Sequence, residues 1–155
     1  MDWTIHAAHV AQAGEVLTVQ RAAYVSEARL YDNPYLSALT ETVAEVRAAI
    51  ERGQVLVALD GHRIVGAVRG VRDGDVCHVT RLVVVPDLQG KGLGRALVLA
   101  AEAANPTAAR FALHTGERST ANIGLYQKLG YVLVRKEKVA ETLMLVHLEK
   151  LARQA

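Results

Sequence analysis

Residues 82–97 read L-V-V-V-P-D-L-Q-G-K-G-L-G-R-A-L, and within this stretch the chain changes its local structure twice. Leu82, Val83, Val84 and Val85 are apolar and three of them are β-branched, which suits a buried strand. Pro86 ends that strand, because proline has no N–H to give to a ladder. Gly90, Gly92 and Gly94 then alternate through a short loop. From Leu93 the apolar residues Leu93, Ala96, Leu97, Ala100, Ala101 and Ala104 recur at steps of three and four, the spacing of one helix face. The stretch is a strand, a glycine loop and a helix. The first turn of a helix leaves backbone N–H groups unpaired and carries partial positive charge. Glycines let a phosphate approach those groups, so a phosphate site is expected here.

The spacing narrows the kind of phosphate. A P-loop needs G-x-x-x-x-G-K-[ST], and no Ser or Thr follows Lys91 at that offset. The dinucleotide fingerprint G-x-G-x-x-G fails as well, since Arg95 or Leu97 stands where its third glycine belongs. What remains is Q-x-x-G-x-G from Gln89 to Gly94, directly after a strand that ends V-V-P. This resembles the acyl-CoA pyrophosphate loop of the GNAT superfamily of N-acetyltransferases. A second stretch, S-T-A-N-I-G-L-Y-Q-K-L-G-Y at 119–131, resembles the late motif of the same superfamily. There Asn122, Tyr126, Lys128, Gly130 and Tyr131 take the motif positions. The two matches lie in the right order, and with the elements around them the resemblance covers nearly the whole chain.

Bulk properties agree with one globular domain over 1–155. The chain is 51% apolar and 22% charged, which excludes a mainly disordered protein. At 155 residues it is long enough to bury about two thirds of its unfolded surface. Eighteen basic against sixteen acidic residues give a net charge of +2, too small for a nucleic-acid or membrane partner. The single cysteine, Cys77, lies in an apolar run and is expected to be a reduced core residue. Six histidines and one cysteine without ligand spacing predict no metal. No apolar run is long enough to span a membrane, and Met1-Asp2-Trp3 does not open a signal peptide. The expectation is a soluble, cytoplasmic protein.

Along the chain, Trp3–Ala7 is a short strand, and Val10, Ala13, Leu17 and Tyr24 mark a first helix. Residues 25–40 read as irregular, with a turn at Asn33-Pro34. Thr42 and Glu45 form a capping box ahead of a second helix, which Gly53 stops. Val55–Leu59, Ile64–Val71 and Val76–Val85 are strands joined by Asp60-Gly61 and Asp73-Gly74 turns. The helix after the glycine loop ends at Asn105-Pro106, Arg110–Thr115 is a strand, and Ser119 or Thr120 caps the next helix, which ends at Gly130. Tyr131–Val134 and Thr142–Leu148 close the chain as two antiparallel strands. The order β-α-α-β-β-β-α-β-α-β-β is that of the GNAT acyl-CoA N-acyltransferase fold, an α/β protein with a mixed sheet and helices on both faces.

The resemblance implies an acetyl-CoA-dependent N-acetyltransferase that moves acetyl directly to a primary amine of a small molecule or peptide. In that family the pantetheine arm lies where two parallel strands splay, here 76–85 and 110–115. Main-chain groups of Val83, Val84 and Val85 would pair with it, since an extended ligand can add to a strand edge. The backbone of Gln89, Gly90, Lys91, Gly92, Leu93, Gly94 and Arg95 would bind pyrophosphate, with Lys91 and Arg95 adding charge. Asn122 corresponds to an asparagine that contacts CoA. Tyr126 corresponds to the tyrosine that protonates the departing sulfur; a phenol with pKa near 10 is neutral at pH 7 and can donate.

No glutamate lies on 76–85, so the general base is sought elsewhere. His78, with an ordinary pKa near 6.5, is the first candidate; His114, Glu117 and a water chain are the others. The acceptor side is expected at 25–40 and 135–142, where Glu27, Asp32, Tyr31 and Tyr35 are suited to a cationic amine. The competing reading is a non-catalytic acyl-CoA-binding sensor or scaffold of the same fold. Homodimers occur in the superfamily, and a homodimer is open for this chain.

Overall fold

The computed structural model describes residues 2–152. Seven strands build one sheet: β1 (Thr4–Ala7), β2 (Val55–Asp60), β3 (Arg63–Asp73), β4 (Val76–Val84), β5 (Arg110–Gly116), β6 (Val132–Ala140) and β7 (Leu143–Leu151). Their order is β1-β2-β3-β4-β5-β7-β6, and only the β4–β5 pair is parallel. The helices are α1 (Ala13–Leu30), α2 (Ser37–Thr40), α3 (Val43–Glu51), α4 (Leu93–Ala103) and α5 (Thr120–Lys128). This is the mixed α/β sheet that the order of elements predicts, with one short helix, α2, added between the first two.

Neighbouring positions on β3 show the layers on either side of the sheet. Arg69 reaches Gln20 of α1, whereas Gly70 faces Asn105 at the end of α4. Alternation along a strand sends successive side chains to opposite faces, so α1 and α4 cover opposite faces. The α4 side packs closely at Gly66: a Cβ there would stand 2.8 Å from Leu97 Cδ1 and 2.9 Å from the Val83 carbonyl. Leu93, Leu97, Val98 and Ala101 bury the apolar stripe of α4 against this surface.

The parallel pair is brief. Only Val76↔Arg110, Cys77↔Phe111 and His78↔Ala112 are in register, and beyond them the strands part. Both edges contribute to the divergence. On β4, Arg81 and Leu82 together stand opposite Val68, a bulge that bends and twists the strand. On its far edge β5 pairs with β7 along its whole length, Arg110 to Gly116, so it follows β7 rather than β4.

Three local expectations change. Helix α1 continues to Leu30 through a segment expected to be irregular. Residues 25–30 contain no Gly or Pro, but here the helix presents Val25 and Leu30 to solvent, which erases the apolar period that would have marked it. Residues 135–140 belong to β6 rather than to a loop. β6 is an edge strand with no helix over it, so its R-K-E-K run is exposed on both faces and shows no alternation. Ser119 does occupy the N-cap of α5, yet its hydroxyl makes no capping bond and is used elsewhere. The Thr42–Glu45 capping box forms as expected, and a second one, not anticipated, joins His9 and Gln12 before α1.

Candidate functional site

The gap between β4 and β5 is the centre of the site. Residues of an antiparallel strand turn their N–H and C=O alternately to either edge. The Val85 N–H donates to the Val65 carbonyl at 3.0 Å, and Val83 pairs with Ala67 on the same side. Val84 therefore turns its main-chain groups to the gap. Of the three valines expected to offer their backbone there, the free edge belongs to Val84, while Val83 and Val85 face β3. The Val84 carbonyl accepts a bond from Gln89 Nε2 at 3.2 Å, so the glutamine of the loop folds back over the strand end.

The glycine loop follows. Pro86–Leu88 make a 3-10 turn, Gly90 has φ +77, and Gly92 is the N-cap of α4 with φ +89. That left-handed geometry favours glycine at Gly92, and an added Cβ would meet nothing within 4 Å. No side chain caps α4 and no acid stands in its first turn. The N–H groups of the first turn are therefore offered to an external anion, with the helix dipole behind them. Lys91 and Arg95 are exposed beside this opening, and Leu93 is buried, leaving only its backbone to the loop. Gly94 passes close to Leu82, Val84 and Leu125 of α5.

On the β5 side of the gap, Tyr126 of α5 is buried, edge-on to Tyr131 with ring centroids 6.2 Å apart. Burial pushes its phenol well above the ordinary tyrosine value, and the fields of Tyr24 and Glu27 add to the rise. Those two residues belong to α1. Among the described residues the Tyr126 hydroxyl has no hydrogen-bond partner, which leaves its proton free for a ligand. Asn122, one turn earlier, points Nδ2 to Thr115 Oγ1 at 3.5 Å, the outer limit of a hydrogen bond.

The two histidine candidates sit differently. His78 is exposed and belongs to the last paired position of β4, opposite Ala112. His114 lies two residues beyond that pairing, its ring 5.5 Å from His147. His147 Nε2 in turn bonds Glu137 Oε1 at 2.9 Å. His114 is exposed as well; partial loss of water around its ring lowers its pKa from the usual value, the charges of His147, Arg81 and His78 work in the same direction, and Glu137 opposes them. Glu117 is drawn outward into an ion pair with Lys136 at 2.7 Å.

The acceptor side also gains definition. The end of α1 and the β6–β7 turn come together in an open cleft of about 260 Å³, with Tyr31, Glu117, Arg118, Lys138, Glu141 and Met144 in its walls. Tyr31 is buried, and its hydroxyl meets Ser119 Oγ at 2.7 Å and accepts from the Arg118 N–H at 3.0 Å. Ser119 Oγ donates to Glu27 Oε2 at 2.6 Å. Tyr31 presses so closely on Gly116 that an added Cβ would lie 1.9 Å from its hydroxyl. Tyr35 and Asp32 are exposed. Behind this wall Glu41 accepts two bonds from Arg69 and one from Gln20, and its pKa is lowered to about 2 although burial alone would raise it. Arg81 stands beside them at the β4 bulge, with φ +52. Sequence reasoning passed over Arg81 and Glu41. A lone arginine inside the apolar run 76–85 was the available signal.

A family model described as "Acetyltransferase (GNAT) domain" matches residues 51–133, more than half of the chain. The chain belongs to the GNAT acetyltransferase family. The matched span of this GNAT domain covers the glycine loop, Tyr126 and both splayed strands. A paia N-acetyltransferase from Thermoplasma acidophilum, solved with coenzyme A, superposes with a TM-score of 0.81 over 98% of this chain and all (100%) of that one, at 17% identity. The putative acetyltransferase yncA from Salmonella typhimurium, solved with acetyl-CoA, gives 0.78 over 99% of this chain and 95% of that one, at 20% identity. At such identities the superpositions establish the shared fold. UPF0157 protein YqkA of Bacillus subtilis (strain 168) is 31% identical over 137 residues, which are 86% of this chain. The GNAT chain spans 38% of the length of that protein. Among the described residues, no helix is long and apolar enough to cross a membrane, and no group of three or more His, Cys, Asp or Glu stands ready for a metal ion.

Proposed function

We propose that the chain is an acetyl-CoA-dependent N-acetyltransferase, one cytoplasmic domain over 1–155, that transfers acetyl directly to a primary amine. The observation that carries this reading is the gap itself. After three paired residues β4 leaves β5, and the space is bounded by the free edge at Val84, the uncapped N-terminus of α4 and the unpartnered hydroxyl of Tyr126. An extended donor fits this arrangement along its length. Pyrophosphate takes the N–H groups of residues 89–95, assisted by Lys91 and Arg95, and the pantetheine amides pair with Val84. Asn122 contacts the same arm, and the thioester lies beside Tyr126.

The amine nitrogen then attacks the thioester carbonyl carbon. The tetrahedral adduct loses the nitrogen-bound proton, its C–S bond breaks, and the sulfur takes a proton from Tyr126, giving amide and free thiol. His78 and His114 are the imidazoles near this point. We favour His114, which lies past the last β4–β5 pair, is open to water and has its pKa lowered from the usual value. Binding and orientation supply most of the rate, since the reaction joins two substrates.

The second reading, an acyl-CoA-binding sensor or scaffold without turnover, is favoured by the lack of any carboxylate on β4. One experiment separates the two. Acetyl-CoA is expected to raise the melting temperature by mass action, whereas NAD and ATP at equal concentration do little. Thiol release is then measured across a panel of amines. A shift with acetyl-CoA and no amine-dependent thiol release would favour the sensor. A shift with NAD and none with acetyl-CoA would sink both.

A further inference from the structure

A cluster of charged and phenolic side chains lies on the α4 side of the sheet, next to Tyr126. Its centre is Tyr131, which is 2% exposed. The Tyr131 hydroxyl donates to Glu102 Oε2 at 2.8 Å. Lys150 of β7 donates from Nζ to both oxygens of the same carboxylate, at 2.9 and 3.2 Å. That ammonium also stands 5.6 Å from the centre of the Tyr131 ring, close enough for a cation–π contact. The Lys150 stem runs past Gly130, where an added Cβ would come within 3.6 Å of its Cε. Both charged side chains are largely shielded, 18% exposed for Lys150 and 13% for Glu102. A shielded ion pair adds little stability over an apolar replacement, because desolvation offsets its attraction. What it does supply here is a fixed place for the Tyr131 ring.

Tyr131 meets Tyr126 twice. Its N–H donates to the Tyr126 carbonyl at 3.0 Å, closing the end of α5 over Gly130, which has φ +99. This is the six-to-one bond of a Schellman ending, which often comes with a contact between the two side chains it brings together. Here the contact is ring on ring, with centroids 6.2 Å apart and planes at 63°, an edge-to-face pair. Since the Tyr126 hydroxyl is free, packing around its ring, and not a hydrogen bond, aims it. Tyr131 is fixed in turn to Glu102 in the last turn of α4, the helix whose first turn is offered to an anion. The helix that would receive the cofactor at one end braces the tyrosine pair at the other.

Resting on the acetyl transfer proposed above, we infer that Tyr131, Glu102 and Lys150 are positioning residues, which hold the Tyr126 phenol at the departing sulfur and tie its place to the cofactor helix. Glu102 accepts the Tyr131 hydrogen bond, and Lys150 supplies the charge opposite it. Burial, and after it the bond to Glu102, raises the Tyr131 phenol well above its ordinary value, so it stays protonated and keeps donating. The three act on the reaction through Tyr126 and not on the substrate. Aim matters at this point, because a misplacement of about 1 Å can lower a rate on the order of 10²-fold.

The test reads thiol release across the amine panel for the wild-type protein, Tyr131→Phe, Tyr126→Phe and the double variant. Tyr131→Phe keeps the ring and gives up only the bond to Glu102, so the fold and the melting shift with acetyl-CoA should hold. Its kcat should fall about tenfold, with KM for both substrates unchanged. In the Tyr126→Phe background the same change should bring no further loss, because groups that act through one another are not additive. Glu102→Ala should reproduce the loss, and Glu102→Gln, which still offers an oxygen to the phenol, should restore part of the rate. The NMR signals of the Tyr126 ring, identified by their absence from Tyr126→Phe, should shift in Tyr131→Phe. Phenylalanine keeps a ring beside them, so that shift reports movement of Tyr126. Full kcat in Tyr131→Phe, an equal loss in both backgrounds, or unmoved Tyr126 signals would overturn the inference and leave acetyl transfer standing. If the wild-type protein releases no thiol with any amine, or Tyr126→Phe keeps full activity, the mechanism above falls first, and the ring signals alone decide whether the cluster holds Tyr126.

Discussion

At the scale of single residues, Tyr126 carries the sharpest prediction. Its ring packs against Tyr131 and its hydroxyl is free, so Tyr126→Phe removes the proton donor and keeps the packing. The expected result is a fall in kcat of about 10²-fold or more, the usual scale for a general acid. kcat/KM should fall in parallel, because the contact matters in the transition state, and acetyl-CoA binding should be preserved. Since burial lifts the phenol above its ordinary range, the wild-type rate should show no loss from tyrosine ionisation up to about pH 10. A Tyr126→Phe enzyme of full activity would remove the phenol from the mechanism. Tyr126 could be picked out in the sequence because it stands in a spaced motif with Asn122 and Gly130. Arg81 showed only as a lone arginine in an apolar run, since its pairing with Glu41 exists only once the fold brings the end of α2 beside β4. Glu27 was visible only as one acid among others. Its bond to Ser119 exists only once α1 meets the residue that precedes α5.

At the scale of elements, the strand–loop–helix unit was legible because each piece has its own local cause. β-branched residues make the strand, Pro86 stops it, Gly92 takes a left-handed cap, and the three-four spacing makes α4. The loop's role is tested by Gly92→Glu. Glutamate at a φ of +89 is strained, and its carboxylate would sit where the helix N-terminus attracts an anion. The added Cβ itself has room, so the fold should hold while acetyl-CoA loses its melting shift. A variant that folds and binds acetyl-CoA normally would show the loop to be only a turn. Elements set by tertiary surroundings were harder to read. In the last turns of α1 the half-covered face carries Glu27 while Val25 and Leu30 meet solvent, and β6 is exposed on both faces, so their sequences carry no apolar period. Helix α2 spans only Ser37–Thr40 and is held by its neighbours rather than by propensity.

At the scale of the whole molecule, the sheet order could be read because a strand–helix–strand unit demands a parallel pair, while hairpin turns at Gly61 and Gly74 demand antiparallel ones. What joins the layers on the α1 side is the buried cluster around Glu41, which links α1 through Gln20, β3 through Arg69 and β4 through Arg81. This predicts how stability responds to acid. The carboxyl pKa is lowered from 4.5 to about 2 in the folded chain. The folded state thus binds its proton later than the unfolded state as pH falls. Glu41 therefore contributes its full stabilisation above the unfolded value, and that contribution is lost progressively from about pH 4.5 down to about 2. In Glu41→Gln the amide cannot titrate, and Arg69 is left as a buried guanidinium without its counter-charge, a loss on the order of 3 kcal/mol at neutral pH. Urea midpoints measured from pH 7 to 2 should then show a steep acid limb for the wild-type chain. The Glu41→Gln curve should start lower and fall less over the same range, so that the two converge near pH 2. Parallel curves would mean that the carboxylate is not stabilised in the fold.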